Sequence, residues 1–301
     1  MKPIPTQNLI LGGSLLTGEL TLTIVIASIV KLLEPQIPIF QILLCRYLFC
    51  LPLLMVYGRI TIGSQFLKVT NTRILLLRTV CGFMGLCMWY LAIATINISS
   101  ATVLLNTMPL FITLLSALIA RESVGIRRTL AVIFGFVGVL IILFPLKADF
   151  NLIGSIYALL GALFSALMFV FIRMLGKSDA SVPTAIWYNT FGALASGILC
   201  LFLTDLKFAN YSETNTFQPW LLLILTGVLA SFQQFFLAES HQHADASALA
   251  PLHYLSIPLG VFFGVIVFGD VITIKFVFGA LIIIISTFYI FVRQRSLSSI
   301  A

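Results

Sequence analysis

Charged residues are scarce in this chain of 301 residues: they make up 9% of it, whereas 60% of the residues are hydrophobic. Soluble domains carry roughly 25% charged residues. A water-soluble protein of this size could not bury so much apolar surface. The composition therefore excludes a soluble globular fold and predicts a protein whose solvent is a lipid bilayer.

Regular alternation of apolar and polar residues is also missing, which excludes a membrane β-barrel. The apolar residues form long runs instead, each about the length of a helix that crosses a bilayer. Helices satisfy their own backbone groups in lipid, so each run is predicted to be helical. The ten runs lie at 9–30, 37–57, 74–96, 99–120, 129–146, 152–175, 184–203, 220–238, 246–268 and 276–292.

Several motifs of soluble and catalytic chemistry are absent. The sequence has no G-x-x-x-x-G-K-[ST] loop for a nucleotide and neither the H-E-x-x-H nor the G-x-S-x-G motif of hydrolases. None of the five cysteines forms a C-x-x-C pair, and all lie in apolar runs, which favours packing over a metal site or a disulfide. We therefore expect no catalytic residues, no metal and no cofactor, and a protein that is not an enzyme.

The net charge of +7 does not indicate a nucleic-acid partner, because the sequence has no long basic run or basic–aromatic cluster. The positive residues lie next to the ends of the runs, mostly on one side. Eleven fall on that side: Lys2, Arg59, Lys68, Arg73, Arg121, Arg127, Arg128, Arg173, Lys177, Arg293 and Arg295. Four fall on the other: Lys31, Lys147, Lys207 and Lys275. The positive-inside rule then predicts a multi-pass protein of the plasma (cell inner) membrane with both termini cytoplasmic.

An internal repeat divides the chain into halves, 1–147 and 148–301. The stretch "YLAIATINISSATVLLNTMPLF" (90–111) matches "FLAESHQHADASALAPLHYLSI" (236–257), and "ARESVGIRR" (120–128) matches "FGDVITIKF" (268–276). Five helices are an odd number, so the second copy must cross the membrane in the opposite sense. The predicted fold is an all-α polytopic membrane protein of ten transmembrane helices in two inverted five-helix repeats. Such repeats are typical of secondary transporters, whose substrate site lies near the bilayer midplane.

Four stretches carry a resemblance to a known family: "CRYLF" (45–49), "LRTVCGFMGLCMWYLAIA" (77–94), the segment 106–143 and "ADASALAPLHYLSIPLG" (244–260). The chain resembles EamA-like ten-helix members of the drug/metabolite transporter superfamily, over nearly its whole length. Within it, the chain looks most like transporters of S-adenosylmethionine or riboflavin. Some of those carry Arg where this chain has His253. The resemblance implies that the first, third, fourth, sixth, eighth and ninth helices surround a central cavity.

Ionisable residues inside the runs are the first candidates for the site, because each costs roughly 2.5–3.5 kcal/mol to insert. Glu19 is interpreted either as a proton-sensitive carboxylate in the pathway or as the partner of Arg46 or Arg78 in a buried ion pair. For Arg46 a packing or topology role is favoured over substrate contact. Arg78 begins a helical stripe through Gly82 and Gly85 to Trp89, which indicates either close helix packing or a cavity wall.

Polar residues of other helices complete the predicted site. The ninth run combines His253 and Tyr254 with Pro251 and Pro258, and these prolines predict a kinked helix whose freed carbonyls face protein or water. Glu122 and Asp270, at the ends of their runs, are expected to be structural, as caps or as partners of Arg127 and Lys275. The predicted substrate-binding residues are Glu19, Arg78, Trp89, Tyr90, Asn106, Tyr157, Gln233, His253 and Tyr254.

The predicted function is secondary active transport of a small amphipathic or zwitterionic metabolite by alternating access. The partners are that metabolite, membrane lipid and a proton or counter-substrate, with the protein working as a monomer or a homodimer. Two alternatives stay open: an intramembrane lipid-modifying enzyme that uses Glu19, His253 and the arginines, or a channel.

Overall fold

The computed structural model describes residues 9–119, 126–143, 151–175, 179–203, 217–243 and 250–298, and within these ranges the regular elements are all helical. The α-helices are α1 (Leu9–Leu33), α2 (Ile39–Ile62), α3 (Thr72–Thr95), α4 (Ile98–Leu105), α5 (Met108–Ile119), α6 (Ile126–Leu143), α7 (Leu152–Leu175), α8 (Ser181–Leu203), α9 (Phe217–His243), α10 (Ser256–Phe268) and α11 (Ile274–Ser298). Short 3₁₀ helices lie at Gly63–Gln65 and Ala250–Leu255.

Among the described residues, six helices are long and apolar enough to cross a membrane: α1, α2, α3, α7, α8 and α9. Shorter apolar helices account for the fourth, ninth and tenth runs. Large apolar side chains remain exposed on outer faces; Leu194, Ile198 and Leu201 of α8 follow helical spacing and are suited to face lipid. The structure confirms the prediction of an all-α polytopic membrane protein.

Two of the predicted membrane runs are broken inside the bundle. The fourth run divides into α4 and α5 at Asn106 and Thr107, immediately before Pro109. The ninth run has 3₁₀ geometry from Ala250 to Leu255 before α10 begins. Proline lacks a backbone N–H and clashes with the preceding turn, which explains a break near Pro109 and near Pro251. The ninth run is therefore not a regular α-helix around Pro251, whereas Pro258 lies in the first turn of α10; a bend of the axis stays a prediction.

The packing of the helices repeats when the two halves of the chain are exchanged. In the first half the five helical units are α1, α2, α3, α4 with α5, and α6; in the second they are α7, α8, α9, the 3₁₀ segment with α10, and α11. The contact of α3 with α7 corresponds to that of α9 with α1, and α2 with α9 corresponds to α8 with α3. Three further contacts each join a helix to its own counterpart in the other half: α2 with α8, α4 with α10 and α6 with α11. The halves thus pack about a pseudo-twofold axis, as inverted repeats do.

Close approach between the halves depends on glycines. Gly192 of α8 faces the ring of Tyr47 of α2, so that a Cβ at this glycine would lie 2.5–2.7 Å from three ring atoms. Gly82 of α3 similarly faces Tyr188 and Met168 of the second half. Small residues allow membrane helices to pack closely, where van der Waals contact replaces the hydrophobic effect as the main attraction. The glycines of the Arg78 stripe therefore lie in a helix interface.

We expect Gly192→Ala to destabilise the protein by about 1–3 kcal/mol, the usual cost of overpacking a filled interior. The matched control on the same helix is Gly197→Ala, because the nearest atom to a Cβ there is Leu44 Cδ1 at 3.7 Å. Alanine favours a helix by roughly 0.5–1 kcal/mol over glycine, so this control should keep or raise stability. Thermal unfolding in detergent would measure both, and equal stability of the two variants would contradict the prediction.

Candidate functional site

The two broken helices, one from each half, meet at their breaks. Asn106, which ends α4, donates from Nδ2 to Ser256 Oγ (3.0 Å) and to the Thr102 carbonyl (2.8 Å). Ser256, the first residue of α10, can donate back to Asn106 Oδ1 (3.1 Å) or to the His253 carbonyl (2.7 Å). The predicted site residue Asn106 is thus bonded to Ser256, whose hydroxyl also reaches the backbone carbonyl of His253. Discontinuous helices of this kind form the midplane sites of many transporters.

A second polar group links α1, α2 and α9 through the amide of Gln233. Its Nε2 donates to Glu19 Oε1 (3.1 Å) and to Thr23 Oγ1 (2.7 Å), and its Oε1 accepts from Arg46 Nη2 (3.3 Å). Thr23 also donates to Glu19 Oε1 (2.9 Å). Glu19 is 6% exposed and Arg46 3%. The two opposite charges are therefore buried together but separated by a neutral amide.

The contacts of Glu19 bear on the interpretation of this residue as the partner in a buried ion pair. A direct ion pair between Glu19 and Arg46 or Arg78 was one interpretation of the sequence; among the described residues, the carboxylate instead accepts hydrogen bonds from Thr23 and Gln233. A glutamine at this point supplies both a donor for the acid and an acceptor for the base. A role for Glu19 in the pathway stays a prediction.

Aromatic side chains surround Arg46. The guanidinium carbon lies 5.3 Å from the centre of the Tyr47 ring, within the range of a cation–π contact. Tyr47 and Tyr188 are joined by their hydroxyls at 3.1 Å, and the predicted site residue Tyr90 lies beside the guanidinium, 1% exposed. This aromatic layer connects α2 and α3 with α8 of the second half.

Of the remaining predicted residues, Arg78 contacts the same aromatic layer through Tyr188, and Trp89 lies where α3 packs against α7. Arg78 packs between α3 and α8, where its Nη1 donates to the Thr184 carbonyl (2.5 Å) and its guanidinium lies 5.2 Å from the Tyr188 ring centre. Trp89 is buried on α3, and its backbone nitrogen lies where α3 packs closely on Gly161 of α7. Tyr157, on the same face of α7 one turn earlier, is half-buried. The side chain of Tyr254 lies outside the described residues.

At one end of the bundle, residues of the two halves are joined by hydrogen bonds. Asp270, in the turn between α10 and α11, accepts from the backbone N–H (3.2 Å) and the hydroxyl (2.8 Å) of Ser99 at the start of α4. Lys31 Nζ, at the end of α1, donates to the Ile96 carbonyl (2.7 Å). Asp270 was expected to be either a helix cap or the partner of Lys275. It is a cap, and the helix that it caps, α4, belongs to the other half. Glu122, its expected counterpart, lies outside the described residues.

Sequence reasoning missed Thr23, Ser256, Tyr188 and the target of Asp270. Ser256 could have been found from spacing alone, because it follows His253 by three residues and precedes Pro258 by two, where a kink frees carbonyls. Thr23 lies one turn after Glu19, so its hydroxyl reaches the carboxylate. Tyr188 and Ser99 carry no such local signal. The described residues contain no group of three potential metal ligands.

Comparison with known proteins agrees with this architecture. The model of the EamA-like transporter family matches residues 11–144 and again 152–292. The riboflavin transporter of Vibrio cholerae is 32% identical over 84% of this chain and 83% of its own length. The S-adenosylmethionine uptake transporter of Rickettsia prowazekii is 26% identical over 89% and 88%.

Two further similarities extend over almost the whole chain. The pseudopaline exporter of Pseudomonas aeruginosa is 24% identical over 93% of this chain and 95% of its own length. A solved crystal structure matches 94% of this chain and 97% of its own, with a TM-score of 0.63 and 14% identity, a likeness that shows the fold alone.

We expect Gln233→Leu to destabilise the protein by about 2–4 kcal/mol, because it leaves the buried Glu19 and Arg46 charges without the amide that bonds both. Gln234→Leu, at the next position of α9, is the matched control and should change stability by less than about 0.5 kcal/mol. Glu19→Gln keeps an oxygen that can accept from Thr23 and Gln233, so its effect should be the smaller of the two site variants. Thermal unfolding in detergent would test this order. Equal effects of Gln233→Leu and Gln234→Leu would refute the bridging role of Gln233.

Proposed function

This chain belongs to the EamA-like transporter family, and we propose that it is a secondary active transporter that moves a small amphipathic or zwitterionic metabolite by alternating access. Membership of the family makes it a membrane transporter and not an enzyme. The proposal adds a central cavity between the inverted repeats 1–147 and 148–301, lined by the predicted substrate-binding residues. It also adds coupling to a proton or a counter-substrate.

The observation that carries the proposal is the meeting of two broken helices from opposite halves at Asn106 and Ser256. Helix breaks are costly in lipid and persist where they line a substrate path or are buried in protein. The pairing of the helices repeats on exchange of the halves, which provides two near-equivalent packings of one chain. Two such packings, each with one end closed, are what alternating access requires.

The end at which Asp270 bonds Ser99 supplies one of these gates. In the topology proposed from the charges, this end faces outward and both termini are cytoplasmic, in the cell inner membrane. The carboxylate comes from the second half and the helix N-terminus from the first. Separation of the halves at this end would therefore break these bonds first, and their re-formation would close the path again.

The names of the relatives indicate the class of substrate. Riboflavin and S-adenosylmethionine, named for two of them, both combine a flat heteroaromatic ring with polar groups. Glu19, Gln233 and Asn106 offer polar contacts, and Trp89, Tyr90 and Tyr157 offer rings that stack on a flat ligand. We propose a metabolite of that shape as the substrate, whichever direction it is moved in.

The purified protein in sealed proteoliposomes should take up radiolabelled riboflavin or S-adenosylmethionine at a rate that saturates and that rises when unlabelled substrate is trapped inside. Alternating access predicts both effects, because a loaded carrier returns faster than an empty one when the empty return is rate-limiting. Uptake that rises linearly with concentration and shows no exchange would indicate a channel instead. Chemical conversion of lipid in detergent would indicate an enzyme, and uptake of neither compound would refute the proposed substrate class.

Loss of the Asp270 cap should open the outer end. Thr102 is buried one turn beyond Ser99, so a cysteine at this position should react slowly with an impermeant maleimide added outside intact cells. Adding Ser99→Ala or Asp270→Asn should speed the reaction roughly tenfold, because hydrogen bonds to a charged group contribute about 1.5–3 kcal/mol. Ser100→Ala is the matched control and should leave the rate unchanged. Unchanged rates in all variants would refute the gate, and labelling from the cytoplasmic side alone would reverse the topology.

A further inference from the structure

The guanidinium of Arg46 is buried but incompletely paired. Within the part of the chain that the structure describes, Nη2 donates to Gln233 Oε1 at 3.3 Å, a long distance for a charged donor. Among the described residues, Nε and Nη1 have no partner at hydrogen-bond geometry; the Tyr90 hydroxyl lies beside the guanidinium and interacts with it, but not at that geometry. Polar groups buried without a partner are rare in native proteins and each calls for a specific explanation.

The nearest acid cannot supply the missing acceptor. Glu19 is held by Thr23 and by the amide of Gln233, which lies between the carboxylate and the guanidinium. The face of the Tyr47 ring orients the cation but provides no lone pair that accepts its N–H groups. Around the guanidinium, the N–H donors therefore outnumber the acceptors that the described residues supply, which are Gln233 Oε1 and the Tyr90 hydroxyl oxygen.

Arg78 provides an internal comparison. It is a second buried arginine over a tyrosine ring, but its Nη1 donates to the Thr184 carbonyl at 2.5 Å, and among the described residues Nε is its one fully buried nitrogen that lacks a hydrogen-bond partner. A carbonyl of α8 thus fixes Arg78 between two helices. Arg46 has no carbonyl contact of this kind in the described structure, although it is the more deeply buried of the two.

We propose that Arg46 and Tyr90 bind the carboxylate of a zwitterionic substrate, with Glu19 close to its cationic group. This inference rests on the proposed transport function and specifies the substrate of the same site. The guanidinium matches the geometry of a carboxylate, and the Tyr90 hydroxyl can donate a further hydrogen bond. The charges decide between classes of ligand: one guanidinium and one carboxylate balance each other, so a zwitterion leaves the cluster balanced, whereas a phosphate dianion would add uncompensated negative charge.

Binding to matched pairs of compounds tests this assignment. The pairs are S-adenosylmethionine with its decarboxylated form, tryptophan with tryptamine, and arginine with agmatine; each differs by one carboxylate. For at least one pair, the wild-type protein in detergent should bind the carboxylated member about 10- to 100-fold more tightly, the range expected for hydrogen bonds to a charged group. Thermal stabilisation titrated with each compound gives the affinity, because a ligand bound only by the folded state raises apparent stability.

The variants separate ligand binding from folding. Arg46→Lys and Arg46→Gln should reduce the preference for the carboxylate to less than about threefold, well below the range expected for hydrogen bonds to a charged group. Tyr90→Phe removes a hydroxyl that makes no hydrogen bond of normal geometry among the described residues, so it should fold normally and reduce the preference partly, which keeps the test decisive if the Arg46 variants are unstable. Arg59→Gln, at an exposed position of the same helix, is the matched control and should keep the full preference.

The outcomes distinguish this inference from the proposed function. A wild-type protein that prefers no carboxylated member, or variants of Arg46 and Tyr90 that keep the full preference, would overturn the carboxylate site. If those variants keep the preference while proteoliposomes show saturable exchange, the transporter stands without this site. If the preference depends on Arg46 but no compound is transported, the site stands and the proposed transport function falls.

Discussion

The constraint on which this structure depends is that lipid offers no hydrogen bonds, so each polar group within the membrane must find its partner in protein. The two helix breaks show how the chain meets it. At the end of α4 the side chain of Asn106 bonds the Thr102 carbonyl of its own helix and Ser256 of the other half. Each break thus bonds a carbonyl of its own half through a polar side chain, and these two side chains bond each other across the halves.

The same constraint explains why the halves are joined by polar side chains at a few points and by glycines elsewhere. Gly192 and Gly82 allow helices of the two halves to pack in direct van der Waals contact. Gln233, Asp270 and Ser256 then supply directional bonds between elements far apart in sequence. Such bonds have a definite made and a definite broken state, which suits a protein that alternates between two packings.

Much of this fold could be predicted from the sequence, because apolar runs and prolines act locally. Eight of the ten runs predicted one α-helix each, and the prolines of the ninth run predicted that its helix would not be regular; the fourth run was expected to be one helix and is two. The contacts across the halves could not be predicted. Asp270 and Ser99 are 171 residues apart, and the bridge from Gln233 to Glu19 spans 214. A carboxylate near a helix end indicates a cap, but only the fold determines which helix it caps.

The neutral amide between Glu19 and Arg46 has a consequence for the membrane voltage. A field across the bilayer acts on net charge, at about 2.3 kcal/mol per elementary charge for each 100 mV. With Glu19 ionised, the linked group of Glu19, Gln233 and Arg46 carries one charge of each sign and therefore none in sum. A movement that carries these three side chains together does no work against the voltage. The voltage dependence of such a movement would then come from what is bound and from the buried charge of Arg78, and not from this linked group.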